Sequence, residues 1–438
     1  MDNSLLGVHL QELVTAHAVP GAQFAVYHAG ETWSWTHGVT RVGTGTPLTA
    51  AAPVPAGSIT KTVTAAAALV LVADGDLELD SPLVEQVPDL RELPPRLRGR
   101  LTLRHVLSHT GGLPCDSADV RATSARRHVV DCCRGAEPLT DPGRVFSYSN
   151  IGYLLAGHAV TTVTGMTWAE AARTLVLDPL GIPGRFVVGA PAPEDLVSGH
   201  SAGRGRVRPV LQSLSQWEAP VGGLAASALD LVALGRGLLS DDRVLDPGTR
   251  KEMCAAVPGA VPFGLAEGWG LGLACYGQDR VTVGHDGNGD GTSCHLRMNS
   301  ETGTVVALTA NASSGFALWR ELAPRLPGFG VPVRDYDPMA LTGPPVDPVD
   351  DCVGEYANGD VEYTVTHGDH GGLRLTVDGE PFADLTPHPH HRFAMRDCDT
   401  GRTDQTGRFV LDHDGRVTGL QVGGRLAGKQ FARARLVG

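Results

Sequence analysis

Residues 58–75 read SITKTVTAAAALVLVADG, a Ser-x-x-Lys step opening a strongly apolar run that Asp74-Gly75 ends. The run predicts a buried helix from about Ser58 to Ala73. Residues i and i+3 share a helix face, so the Ser58 hydroxyl and the Lys61 amine come within hydrogen-bond reach. The helix N-terminus adds free N–H groups and positive potential, which suit a developing oxyanion. A seryl nucleophile needs a base, and a buried lysine can lose its proton near neutral pH, which arginine cannot do. The chain has only three lysines (61, 251, 429) against 33 arginines, so a lysine at this spot is telling. The plainer reading of the step alone is a Ser N-cap with a lysine snorkelling off the first turn.

Before this helix, QFAVYHA (23–29) and TWSWTHGVT (32–40) predict a hairpin across a Gly-containing turn. From about 81 to 215 the chain is rich in Pro and Gly, with helical stretches near 101–109, 120–134, 151–164 and 167–177. A further helix is expected over about 227–240. Strands return at 269–276, 280–285, 292–298 and 304–311. Strands, then helices, then strands imply one antiparallel sheet built from both ends of residues 1–330, with a helical insert at about 81–215. That is an α+β fold, not a doubly wound sheet. Six prolines in 327–350 read as a linker, placed at 331–350. Residues 351–438 hold seven or eight short alternating strands and no helical pattern, which predicts a small closed barrel or sandwich.

Two further clusters carry chemistry. Phe146-Ser147-Tyr148-Ser149-Asn150 follows Asp141-Pro142-Gly143. In an extended or loop segment it sends Tyr148 and Asn150 the same way, delivering a phenol and an amide to one site. Val283-Gly284-His285-Asp286-Gly287 ends a predicted strand, with glycines that allow close approach and an imidazole beside the cleft. Each alone reads as structural. Together, in this order, Ser58/Lys61, Tyr148/Asn150 and His285-Asp286-Gly287 resemble the Ser-x-x-Lys acyl-transferase superfamily of serine β-lactamases, penicillin-binding proteins and related esterases. LTLRHVLSHTGGLP (101–114), PGRVFSYSNIGYLLAG (142–157) and GGLAASALDL (222–231) agree with it. The resemblance covers roughly residues 5–325.

The resemblance implies a β-lactamase-like catalytic domain in which Ser58 is the nucleophile, Lys61 its base and Tyr148 the proton relay. Asn150, His285 and Asp286, with Gly222 and Gly223, would bind or orient substrate, and the backbone N–H groups of Ser58 and Asn288 would form the oxyanion hole. Most β-lactamases carry Lys where His285 stands, and a His there is typical of esterases and some peptidases.

Other patterns are weaker. Gly199-His200-Ser201-Ala202-Gly203 matches a G-x-S-x-G elbow but lacks the strand before it and the helix after it. Asp286-x-Asn288-x-Asp290-Gly291 starts like a calcium loop, yet its twelfth position is Arg297 and it lies between two predicted strands. His388, His390 and His391 sit in a Pro-rich turn that suits adventitious surface binding of metal. No metal or organic cofactor is implied.

Composition narrows the function. The 438 residues carry 36 Lys+Arg against 48 Asp+Glu, a net charge of −12, which argues against nucleic-acid and anionic-membrane partners. The N-terminus lacks the charged, apolar and small-residue regions of a signal peptide, and no apolar run is long enough to span a bilayer. The eight scattered cysteines, without a C-x-x-C, read as reduced thiols of a cytoplasmic protein. PFGLAEGWGLGL (262–273), HDGNGDGTSCHLRM (285–298), LTANASSG (308–315) and EYANGDVEYTVTH (355–367) are similar to the penicillin-binding-protein-type thioesterases. That resemblance implies a lipocalin-like C-terminal barrel and a partner peptidyl carrier protein of a nonribosomal peptide synthetase. It also implies a peptidyl thioester substrate with a D-residue at its C-terminal end, released as a head-to-tail macrolactam. The barrel is expected to line the substrate entrance as a lid, with Arg433 and Arg435 on one strand face near Arg425, at least one of the three binding peptide carbonyls or the carrier; the plainer reading is a solvated strand face. The alternatives are a cytosolic serine esterase or D-amino-acid-specific peptidase of the same fold, and a binding module with a relict site.

Overall fold

In a computed structural model the structure describes residues 2–116, 124–189, 191–203, 206–341, 343–348, 350–368 and 372–430. The helix read from residues 58–75 is the centre of the larger domain: α2 (Thr60–Ala73), entered through a 3-10 turn at Gly57–Ile59. Eleven of its 14 residues are buried. A helix without a polar face belongs inside a protein, and helices surround this one. Strands β1 (Gly21–His28) and β2 (Glu31–Gly38) form the expected hairpin. The later strands are β3 (Gly268–Trp269), β4 (Ala274–Tyr276), β5 (Thr282–Gly289), β6 (Thr292–Asn299) and β7 (Val305–Ala310). They join the hairpin in one antiparallel sheet of order β2-β1-β7-β6-β5-β4-β3. The sheet is assembled from both ends of the domain, as the sequence implies.

Both faces of this sheet are covered, so β1 and β7 read as continuous apolar runs rather than alternating ones. Ala25, Met298 and Val305 face the core shared with α2, α3 (Asn150–Thr164) and α4 (Ala228–Ser240). Phe24, Val26 and Leu308 face α1 (Asn3–Ala16) and α5 (Gly315–Leu322). Sequence patterning missed α1, although Leu6, Leu10, Leu13 and Val14 mark its buried stripe and Asp2 caps its start.

The C-terminal unit is a closed eight-stranded antiparallel barrel. Its strands are β8 (Gly354–Asn358), β9 (Val361–His367), β10 (Leu373–Val377), β11 (Glu380–His388), β12 (Arg392–Asp397), β13 (Thr403–Leu411), β14 (Val417–Val422) and β15 (Arg425–Lys429). Phe393, Phe409, Leu375 and Leu385 fill it. This is the lipocalin-like barrel implied by the resemblance. The stretch expected to be a tether is bound down where it starts: Val331 and Val333 are buried, and Asn299 Nδ2 donates to Pro332 O at 2.6 Å.

Asp335 continues that anchoring and reaches a buried network behind β5. Arg297, 1% exposed, donates to Asp286 at 2.8 Å and to Asp335 at 2.9 Å, and its guanidinium lies 3.8 Å from the Tyr276 ring centre. His295 Nδ1 lies 2.7 Å from Asp286, and Trp319 Nε1 donates to Asp335 at 2.6 Å. Burial alone would raise the Asp286 carboxyl, but Arg297 and His295 outweigh it and hold it well below the usual carboxylate range. Removing one partner of such a network leaves its counter-charges unpaired. Arg297→Met should therefore cost about 3–5 kcal/mol in urea denaturation, and a loss below about 1 kcal/mol would show that the network does not hold β5.

Candidate active site

The nucleophile turn comes first because the backbone leaves little choice there. Gly57 has φ +53°, and a Cβ on it would lie 2.4 Å from the Asn288 carbonyl oxygen. Only glycine lets the turn take this shape and press against β5. Ser58 follows, with the Lys61 Nζ 2.9 Å from its Oγ and 3.1 Å from the Val221 carbonyl oxygen. Lys61 is wholly buried. Its pKa is lowered from 10.5 to about 7, chiefly by burial; Cys115 and Asp116 oppose the shift and Arg425 adds a smaller push the same way. Near neutral pH a large fraction of Lys61 is therefore a free amine, able to take the Ser58 proton.

The second cluster is not extended throughout. Ser149 caps α3, accepting from the Gly152 N–H at 3.1 Å, so Asn150 is the first residue of the helix. Tyr148 is 8% exposed, and its hydroxyl is hydrogen-bonded to Ser58. Burial raises the phenol well above its ordinary pKa, only partly offset by that bond. It stays protonated, so Tyr148 hands a proton along and does not act as a standing tyrosinate. Its ring lies 5.1 Å from Lys61 Nζ. Asn150 donates to Asp116 at 2.6 Å, while its Oδ1 is buried with no partner.

β4 pairs with only Thr282–Gly284 of β5, so the edge from His285 to Gly289 is free to face the nucleophile turn. A Cβ on Gly287 would lie 1.9 Å from the Ala56 carbonyl oxygen, which explains the glycine. This approach brings the Asn288 backbone against Gly57 and next to Ser58, where an oxyanion hole of Ser58 and Asn288 N–H groups is expected. His285 is 2% exposed, and its Nδ1 lies 2.6 Å from Asp286 O, which assigns the proton to Nδ1. Nε2 is buried without a partner. Burial, and then Lys61, lower the His285 pKa to about 4, so it is neutral at pH 7.

A cavity of about 480 Å³ opens at Ser58, lined also by Asn150, Gly222, Asn288, Asp116 and Gln212. The structure thus brings Ser58, Lys61, Tyr148, His285, Asn150, Asn288 and Gly222 together. Two expectations need correction. Asp286 points to the opposite sheet face from His285, because strand neighbours alternate, and Arg297 and His295 occupy its carboxylate. Gly223 packs against Ala219, and its carbonyl accepts from Val187 N–H at 2.7 Å, so it supports the wall rather than lining it. Arg433 and Arg435 lie outside the described residues. Arg425 is in the site, 3.1 Å from Cys115 Sγ and 5.6 Å from the Tyr148 ring centre. Sequence reading gave no role to Trp269, whose ring lies 5.3 Å from His285 and 5.9 Å from Tyr148, or to Asp116. Trp269 sits in one of the quoted motifs, but nothing in the sequence pairs it with His285.

The barrel reaches the same place. The Gly424 carbonyl in the β14–β15 turn accepts the Tyr148 N–H at 3.0 Å, and Gln421 Nε2 donates to Phe146 O at 3.0 Å. Asn358 Oδ1 accepts the Cys115 N–H at 2.8 Å. Elsewhere, Ser201 is exposed on a small hairpin, residues 286–297 form β5, a turn and β6, and His388, His390 and His391 line a separate cavity of about 210 Å³ at the barrel.

A seryl hydroxyl against a desolvated lysine, with a protonated tyrosine beside them, defines a serine hydrolase or acyltransferase. The chain belongs to the Beta-lactamase family, which it matches over residues 9–326. It is 32% identical to Penicillin-binding protein 4 of Amycolatopsis lactamdurans, over 74% of this chain and 91% of that one. The crystal structure of SurE superposes with TM-score 0.85 at 38% identity, over 98% of this chain and 99% of SurE. D-amino acid amidase from Ochrobactrum anthropi SV3, complexed with D-phenylalanine, matches with TM-score 0.60 at 25% identity, over 70% and 91% of the two chains. No helix among the described residues is long and apolar enough to cross a membrane.

The shifts of Lys61 and His285 set the direction of the pH dependence. Acylation needs neutral Lys61, so its rate should rise about tenfold per pH unit below about 7 and level off above it. His285, already neutral, should add no limb between pH 5 and 9. Stopped-flow acylation by a chromogenic ester checks this. Ser58→Ala should abolish turnover, Lys61→Ala and Tyr148→Phe should each cost about 10²–10⁴-fold, and Ser201→Ala should be close to silent.

Proposed function

We propose that this enzyme takes a nonribosomal peptidyl group from a carrier-bound thioester onto Ser58 and releases it as a head-to-tail macrolactam. The observation that carries this furthest is the barrel. A β-lactamase-like domain whose tyrosine loop is docked on a lipocalin-like barrel is the arrangement expected of penicillin-binding-protein-type thioesterases. The match to SurE runs through both units, and SurE has also been solved with D-Leu, at 37% identity and TM-score 0.82. That complex supports a D-configured residue at the acyl position here.

The proton path balances. Lys61 takes the Ser58 proton as Oγ attacks the thioester carbonyl, and returns it through Tyr148 to the departing thiolate. Neutral again, it accepts a proton from the peptide's own α-amine as that nitrogen attacks the acyl-enzyme, and passes it back to Ser58 Oγ. The carbonyl oxygen sits between the N–H groups of Ser58 and Asn288 in both tetrahedral intermediates. Asn150 and neutral His285 orient the chain. A positioned amine has an effective molarity that reaches about 10⁵ M or more, enough to outcompete water at about 55 M. The substrate rides on a carrier protein of a peptide synthetase, so the work is cytoplasmic, and the chain's own residues suffice for the chemistry.

The second reading is a D-residue amidase or esterase with water as acceptor, favoured by the likeness to the D-amino acid amidase. Products separate the two. With a linear peptidyl thioester ending in a D-residue, mass spectrometry should find mainly a product one water lighter than the acid. N-acetylation of the substrate should divert the same acyl-enzyme to slow hydrolysis. Linear acid alone, at rates indifferent to N-acetylation, would replace cyclisation with hydrolysis.

A further inference from the structure

His109, from the motif LTLRHVLSHTGGLP, is buried in the site and has no part in the proton path. It is 1% exposed and holds a left-handed backbone, φ +56°, which is unusual for a residue with a side chain. Its carbonyl accepts the Ser147 N–H at 2.8 Å and its Nδ1 accepts the Ser149 N–H at 3.0 Å. The N–H between them, that of Tyr148, goes to Gly424 of the barrel at 3.0 Å. Its ring stacks on the Tyr148 ring at 4.2 Å and meets Trp269 edge-on at 5.1 Å. Since Nδ1 accepts, the proton sits on Nε2, which is buried with no partner.

We propose that His109 is the positioning residue for Tyr148. It takes the backbone N–H groups on both sides of the tyrosine and stacks on its phenol, while the barrel turn holds the N–H between, so the hydroxyl stays on Ser58. Burial, with Lys61, His285 and Arg425 nearby, keeps the imidazole uncharged. A neutral ring can accept from Ser149 where an imidazolium could not. The unusual backbone and the unmade Nε2 bond are tolerated at a place where geometry serves the reaction, as strain at sites often is. The inference rests on Ser58 acylation and not on the fate of the acyl group, so cyclisation and hydrolysis are equally compatible with it.

The test is a double-mutant cycle on the rate of Ser58 labelling by a fluorophosphonate, with circular dichroism on every variant. His109→Ala loses the ring and the Nδ1 acceptor; a misplacement of about 1 Å costs about 10²-fold. His109→Asn keeps an acceptor near Nδ1 and tolerates the left-handed backbone, so it should recover to within about tenfold of wild type. With Tyr148→Phe as background, both His109 variants should cost less than about threefold, because the group they position is gone. The acid limb near pH 7 should keep its place at a lower plateau. If His109→Ala does not fold, the comparison of His109→Asn with His109→Phe, which keeps a ring and loses the acceptor, decides the matter, with Asn expected to be faster. Full-sized losses on the Tyr148→Phe background, wild-type labelling in His109→Phe, or a shifted acid limb would each overturn the proposal.

Discussion

Lys61 sits wholly buried on an apolar helix, and among the described residues no carboxylate forms an ion pair with it. An ammonium held there loses its water without gaining a counter-ion. The shift from 10.5 to about 7 corresponds to on the order of 5 kcal/mol against the charged form. The unfolded chain binds this proton more tightly, so the site destabilises the fold increasingly as pH falls from 10.5 towards 7. That cost is what makes the amine a base at neutral pH. A neutral His285, a protonated Tyr148 and a neutral His109 surround the amine without adding an opposite charge, and Asp116 offsets the burial only in part.

Two close approaches place the partners of this base. Gly57 and Gly287 let the nucleophile turn and the free edge of β5 touch where any Cβ would force them apart. On the other side, Cys115 and the Tyr148 segment are bonded to the barrel through Asn358, Gln421 and Gly424. The barrel is therefore part of the wall that orders the tyrosine. Arg425, brought in by the same turn, places a cation beside Lys61 and Tyr148, where it favours the free amine over the ammonium.

Much of this was legible in the sequence because local rules carry it. An apolar run without a polar face gave α2, short β-rich runs set off by turns gave the sheet strands, alternation gave those of the barrel, and three spaced motifs gave Ser58, Lys61 and Tyr148. Asp286 departs from the expectation because the residue next to His285 on a strand points to the opposite face. Asn150 belongs to the first turn of α3 rather than to an extended or loop segment, because Ser149 caps that helix. The strand and motif patterns do not give the helix α1, although its Leu6–Leu10–Leu13–Val14 stripe follows the helical period. Arg425, Trp269 and Gly424 reach the site through long-range packing, which no local spacing encodes.

The central claim is that Lys61 is an uncharged amine at working pH. With only three lysines in the chain, Lys251→Arg and Lys429→Arg leave one ¹³Cε lysine signal, that of Lys61. Followed by NMR against pH in this variant, that signal should titrate with a midpoint near 7. A Lys61 signal that stays that of an ammonium up to pH 10 in the folded protein would contradict the account.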